Sequence, residues 1–112
     1  MFAVIRETTY PADPPLGQRP EFKAFQEAHA ARPGYRGTIV THLGNGRHVT
    51  VTLWDTAEHM HAAREAVGPV VKTLIEPIMT APTTLLGTGE VAYADIGNEE
   101  AARAGEREGG ET

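Results

Sequence analysis

The run His48-Val49-Thr50-Val51-Thr52-Leu53-Trp54-Asp55-Thr56-Ala57-Glu58-His59-Met60-His61 constrains the fold of this chain more than any other segment. Val49, Val51 and Leu53 alternate with His48, Thr50, Thr52 and Trp54, the period-two signature of a strand with two different faces. The alternation then stops and helical spacing begins almost at once. Asp55-Thr56-Ala57-Glu58 matches a capping box, in which the Asp55 carboxylate accepts from the third helical N–H and Glu58 reaches back to the Asp55 amide. The only Trp of the chain stands at the end of this strand, and two of its five His lie just beyond. The rest of the chain is placed around that junction.

Upstream, Phe2 to Thr9 alternates Phe2, Val4, Arg6 and Thr8 against Ala3, Ile5, Glu7 and Thr9, and reads as a first strand. Tyr10 to Pro20 carries Pro11, Pro14, Pro15, Gly17 and Pro20 and must be a loop, because each proline lacks a backbone donor. Pro20 suits the first position of a helix over Glu21 to Arg32, which Arg32-Pro33-Gly34 ends. Thr38 to Leu43 is a second strand. Gly44-Asn45-Gly46 favours a tight hairpin turn into the third, since both Asn and Gly tolerate positive φ.

The second helix begins at Ala57, and Met60, Ala63, Val67, Val71, Leu74 and Ile78 repeat at spacings of three and four. Gly68-Pro69 predicts a kink or two short helices sharing one buried face, and Pro77 and Pro82 close the helical region. Thr83 to Leu86 and Val91 to Ile96 are strand-like, with Gly87-Thr88-Gly89 a bulge or turn between them. The polar, Gly-rich segment 97–112 holds five Glu and two Arg and reads as a flexible acidic tail, leaving 1–96 as the domain.

The order strand, helix, strand, strand, helix, strand is that of an α+β ferredoxin-like sheet with both helices on one face. Its other face needs cover. The first strand is purely polar on neither side, so a second copy packed sheet to sheet is expected, giving a homodimer. With 112 residues the chain suits one domain. It has no Cys, which removes disulfides, thiolate nucleophiles and Cys-ligated metal. A net charge of −5 argues against a nucleic-acid partner. Arg6-Glu7 cuts the apolar start too short for a signal segment, and no other run could span a bilayer, so no membrane partner and a cytoplasmic setting are expected. No P-loop, G-x-G-x-x-G, G-x-S-x-G or H-E-x-x-H pattern occurs.

Three features together carry a family resemblance over 1–96: the strand order, the run Arg32-Pro33-Gly34-Tyr35-Arg36-Gly37 before the second strand, and Leu53-Trp54-Asp55-Thr56-Ala57-Glu58-His59 between the third strand and the second helix. In these the chain resembles the antibiotic-biosynthesis-monooxygenase-like domains of the dimeric α/β-barrel superfamily. The resemblance implies a dimer whose two sheets form a barrel, and a ligand cleft between sheet and helices. It further implies oxygenation, without cofactor, of a phenolic, quinol or polycyclic aromatic small molecule. Haem-degrading members share an Asn on the first strand and a further Trp and a haem-ligating His on the second helix. Arg6, Ala63 and Thr73 stand at or near those places here, so that branch does not fit.

Helical spacing then selects candidate site residues. Phe22, Phe25 and His29 share one face of the first helix, with Gln26 beside it. Arg64 falls inside the apolar arc of the second helix, where a charge must find a partner, water or a ligand. His59 lies at the edge of that arc. On the resemblance, His29 or His59 would be the base and Arg64 or Arg6 the cation for the anionic substrate. Trp54 would be the stacking wall, with Tyr35 and Tyr10 near the cleft mouth. Each has a plainer role open to it: Trp54 packing the core, His29 capping its helix, Arg64 paired with Glu65 or Glu90, Arg6 bridging to a partner subunit. His59 and His61, two residues apart, diverge on a helix and cannot share a metal. The alternative to an enzyme is a non-catalytic dimeric binding or accessory protein.

Overall fold

The computed structural model describes residues 1–96; the tail expected over 97–112 lies outside the described residues. The strands are β1 (Phe2–Thr9), β2 (Tyr35–Gly44), β3 (Arg47–Trp54) and β4 (Thr84–Glu90), and the helices α1 (Pro20–Ala30) and α2 (Ala57–Val70). All strand pairs are antiparallel, and the sheet order β2-β3-β1-β4 is the ferredoxin-like one expected from the element order. Pro20 opens α1, where its missing N–H costs nothing. The β2–β3 hairpin turns through Asn45 and Gly46, at φ 56° and 78°. Two successive positive φ values make the turn whose twist matches the strands, as the Asn-Gly pair implied.

Three local expectations need correction. The residue that caps α2 is Thr56, not Asp55: its Oγ1 accepts from the His59 backbone N–H at 3.1 Å. Asp55 is left outside the helix, where its carboxylate meets Arg36 at 2.9 Å. Gly87-Thr88-Gly89 does not turn the chain. It lies inside one continuous strand, whose register against β1 shifts between Ile5 and Arg6 so that Leu86 bulges out. Val91 to Ile96 is not a strand, because pairing ends at Phe2–Glu90 and a last bond from Val91 N–H to Met1 carbonyl leaves no strand alongside. At the far end of α2, Pro69 lies inside the helix. The ladder then widens to five-residue spacing over Val71–Ile75 before a tight turn at Glu76–Ile78.

Strand register decides which sheet face meets the helices, and it is the polar one. His48, Thr50, Thr52 and Trp54 of β3 sit level with Thr8, Arg6, Val4 and Phe2 of β1, and this face lies under α1 and α2. The apolar alternates Val49, Val51 and Leu53 point away with Ile5, Ala3 and, from β2, Ile39. Two small cores fill the ends of the inner layer. One packs Val4, Trp54, Met60 and Ala63; the other packs Tyr10, Leu16 and Ile75. Between them threonines and an arginine replace apolar side chains, so the layer cannot close by hydrophobic packing.

Candidate functional site

What remains between sheet and helices is a cavity of about 590 Å³. Its floor is Val4, Arg6 and Thr8 of β1 with Thr50, Thr52 and Trp54 of β3. The roof comes from Phe22, Phe25, Gln26 and His29 of α1, which recur every three or four residues. Met60, Arg64 and Val67 line it from α2 at the same spacing. The widened turn after Pro69 adds Val71, Lys72, Ile75 and Glu76.

One wall is aromatic. Trp54 is 2% exposed, and the His29 ring meets it edge-on with centroids 5.3 Å apart. Phe25 flanks His29 on the same helix at 4.8 Å, and Tyr35 meets Trp54 at 5.6 Å. Tyr35 is not itself a wall of the cavity. Its hydroxyl takes a hydrogen bond from Gln26 Nε2 at 2.8 Å and lies 2.7 Å from Thr38 Oγ1, so it ties α1 to the sheet behind the tryptophan.

Arg6 and Arg64 bring positive charge to the same cavity. Arg6 is held below the usual arginine range first by burial and then by the nearby Arg64 cation, yet a guanidinium stays protonated at any ordinary pH. His29 is pushed down to about 4, mainly by burial and further by Arg6, so it is a neutral imidazole at neutral pH. Among the described residues the ion pairs are Arg36–Asp55 and Arg47–Glu7; Arg6 and Arg64 enter neither. No cluster of three or more His, Asp or Glu is placed to hold a metal among the described residues.

The structure therefore brings together His29, Trp54, Phe22, Phe25, Arg6 and Arg64, and leaves His59 outside. His59 packs over Gly34, and its Nδ1 lies 2.9 Å from the Thr56 hydroxyl, at the start of α2. Tyr10 is buried against His48 as part of the cavity lining rather than standing at its mouth. Sequence reasoning missed Thr50, Thr52, Lys72 and Glu76. The two threonines were within reach, since they share the Trp54 face of β3; Lys72 and Glu76 were not, because a regular helix would rotate them differently from the widened turn.

Compared by sequence, the chain matches no family model and no curated protein. Its structure does have relatives. A protein of unknown function from Nitrosomonas europaea superposes with TM-score 0.67 at 8% identity, over 87% of this chain and 94% of that one. SnoaB, a cofactor-independent oxygenase from Streptomyces nogalater, gives 0.61 at 15% identity over 83% and 93%. An antibiotic biosynthesis monooxygenase gives 0.63 at 13% identity over 83% and 100%. The fold is that of the antibiotic-biosynthesis-monooxygenase-like domains. Among the described residues, no helix is long and apolar enough to cross a membrane.

Proposed function

We propose that this chain is a monooxygenase-like enzyme that oxidises a phenolic, quinol or polycyclic aromatic small molecule without a cofactor. The observation that carries the reading is the convergence of His29, Arg6, Arg64 and Trp54 on one cavity large enough for such a ring system. Once deprotonated, an electron-rich ring reacts with oxygen directly. The protein needs to supply only a base, positive charge for the anion, and a dry aromatic wall. For an anthrone the balance is simple: the methylene carbon gains one oxygen atom as a carbonyl. Both its hydrogens leave with the second oxygen atom as water, and O₂ is the sole oxidant.

In this reading Trp54, Phe22 and Phe25 hold the ring, and neutral His29 accepts the proton. An imidazole held near 4 is by itself a weak base. The anion formed beside it raises its proton affinity, and the two guanidiniums lower that of the substrate, so the two are matched within the site. The oxygenase activity of SnoaB on the same fold supports the reading. A pairing of Arg64 with Glu65 or Glu90, which would have favoured a non-catalytic module, is not among the ion pairs of the described residues. We propose further that two copies pack through the outer sheet face, where Ile39 is 48% exposed beside Val51 and Ile5.

The test is to mix the protein anaerobically with a panel of anthrones and hydroquinones and then admit oxygen. Oxygen uptake with quinone formation well above the buffer rate is expected. Turnover no faster than buffer, or unchanged in Trp54→Ala and Arg64→Ala, would remove the proposal.

A further inference from the structure

The cavity is positively charged inside a negatively charged protein. Arg6, Arg64 and Lys72 line it against the single carboxylate of Glu76, whereas the whole chain carries −5. Arg6 finds no hydrogen-bond or ion-pair partner among the described residues, although it lies half-buried in the sheet face. A guanidinium left without a counter-charge in a part-dry cleft is unfavourable in the empty protein, and the neighbouring Arg64 adds repulsion. One phenolate generated during reaction would relieve only part of this. It is also absent when the substrate arrives, because a phenol is neutral at pH 7.

We propose that the substrate is an aromatic acid: a fused or phenolic ring that carries a permanent carboxylate, held by Arg64 at the cavity mouth. The inference rests on the aromatic-cavity reading and adds the second anionic group. Arg64 is solvent-exposed and Arg6 half-buried, so the two cations are placed at different depths. The carboxylate meets Arg64, with Lys72 near it, as the planar guanidinium favours bidentate carboxylate binding. The ring then extends past Met60 towards Trp54, and its phenol reaches the deeper pair of Arg6 and His29. Such an arrangement assigns each arginine its own anion. It also sets orientation, since the end of the ring bearing the carboxylate cannot occupy the apolar wall at Trp54 without burying an unpaired charge.

The experiment compares 6-hydroxy-2-naphthoate with 6-hydroxy-2-naphthamide by titration calorimetry at pH 7.5, on the full chain. The two probes share ring and phenol and differ only in the carboxylate. The acid is expected to bind about tenfold or more tightly than the amide. Its advantage over the amide should shrink as NaCl is raised and disappear in Arg64→Gln. Because Arg64 is exposed, this variant is expected to fold, and circular dichroism checks it. Equal binding of acid and amide, or an advantage that survives Arg64→Gln, overturns the carboxylate assignment and leaves an aromatic-binding cavity standing. Binding of neither probe, in wild type or variant, overturns both.

Discussion

The His29 imidazole meets the Trp54 indole edge-on, with centroids 5.3 Å apart and 65° between the ring planes. Phe25 lies on the same imidazole at 4.8 Å and Tyr35 at 6.2 Å. A titratable group flanked by three aromatic rings is thereby partly shielded from water, and Arg6 opposes its charging from the sheet. The same contacts that pack His29 against Trp54 therefore make it a neutral base at the cavity wall.

This coupling has a signature in stability. The folded-state pKa of His29 is about 4 and its unfolded value 6.5. Below pH 6.5 the unfolded chain binds the extra proton, so stability is full above that pH and is lost as pH falls towards 4. At 1.36 kcal/mol per pH unit the loss is of order 3 kcal/mol. Thermal unfolding followed from pH 8 to 4 should show Tm falling through this window, with a smaller fall in His29→Gln. His48, also lowered by burial, contributes in the same direction and remains in that variant.

Removing the indole should separate packing from binding. Trp54 is almost fully buried between Tyr35, His29 and Met60, so Trp54→Ala is expected to lose about 3–5 kcal/mol in urea unfolding. Trp54→Phe keeps part of the wall and should lose less. If both variants fold at 10 °C, aromatic-ligand affinity should fall in the same order. Equal affinity in wild type and Trp54→Ala would take Trp54 out of the binding wall.

Much of this was legible in the residues. Alternation along Val49 to Trp54, the Asn-Gly turn and Pro20 at a helix start are local signals, and each tertiary neighbour reinforces them. His29 and Arg64 could be singled out because a helix of regular spacing points them at an apolar arc. The orientation of the sheet could not be read so directly. Alternation separates Thr50 and Thr52 from Val49 and Val51 but does not say which set faces the helices, and the natural guess would bury the valines. The reverse arrangement makes sense only with a cavity on one side and apolar cover on the other. His59 was equally hard to place, since its position at the edge of the arc says nothing of Gly34 beneath it.

The two neighbouring cap candidates should behave differently. Thr56 Oγ1 accepts from the His59 N–H, so Thr56→Ala is expected to cost about 1 kcal/mol in chemical denaturation. Asp55 makes an exposed pair with Arg36, and Asp55→Ala is expected to cost at most about 1 kcal/mol, falling further in high salt. The reverse order would restore the capping box that the sequence suggested.

The His59 ring packs so closely over Gly34 that no Cβ fits at position 34. Gly34 has φ +82°, and a Cβ built there would stand 2.3 Å from His59 Cγ. Gly34→Ala thus combines left-handed backbone strain of about 1–2 kcal/mol with a clash. Pairing it with His59→Ala removes the clash and leaves the strain. A double-mutant cycle in urea should show the double variant more stable than the sum of the single losses implies, by roughly 1 kcal/mol or more. Strict additivity would mean that the His59 ring simply swings aside.

The outer sheet face gives the last expectation. Ile39, Val51 and Ile5 lie side by side on β2, β3 and β1, and Gly87 continues the row on β4 without a side chain. The result is a flat apolar strip whose fourth column is low enough for another sheet to approach closely. A stable interface needs roughly 800 Å² from each partner. A charge at Ile39, on the edge strand β2 of this row, would be buried once in each copy, so Ile39→Asp is unfavourable twice over in a dimer and nearly neutral in a monomer, where Ile39 is half exposed. Sedimentation velocity at micromolar concentration should show wild type at twice the monomer mass and Ile39→Asp at the monomer mass with unchanged circular dichroism. A wild-type monomer, or a variant dimer as tight as wild type, would mean that something other than a second copy covers this face.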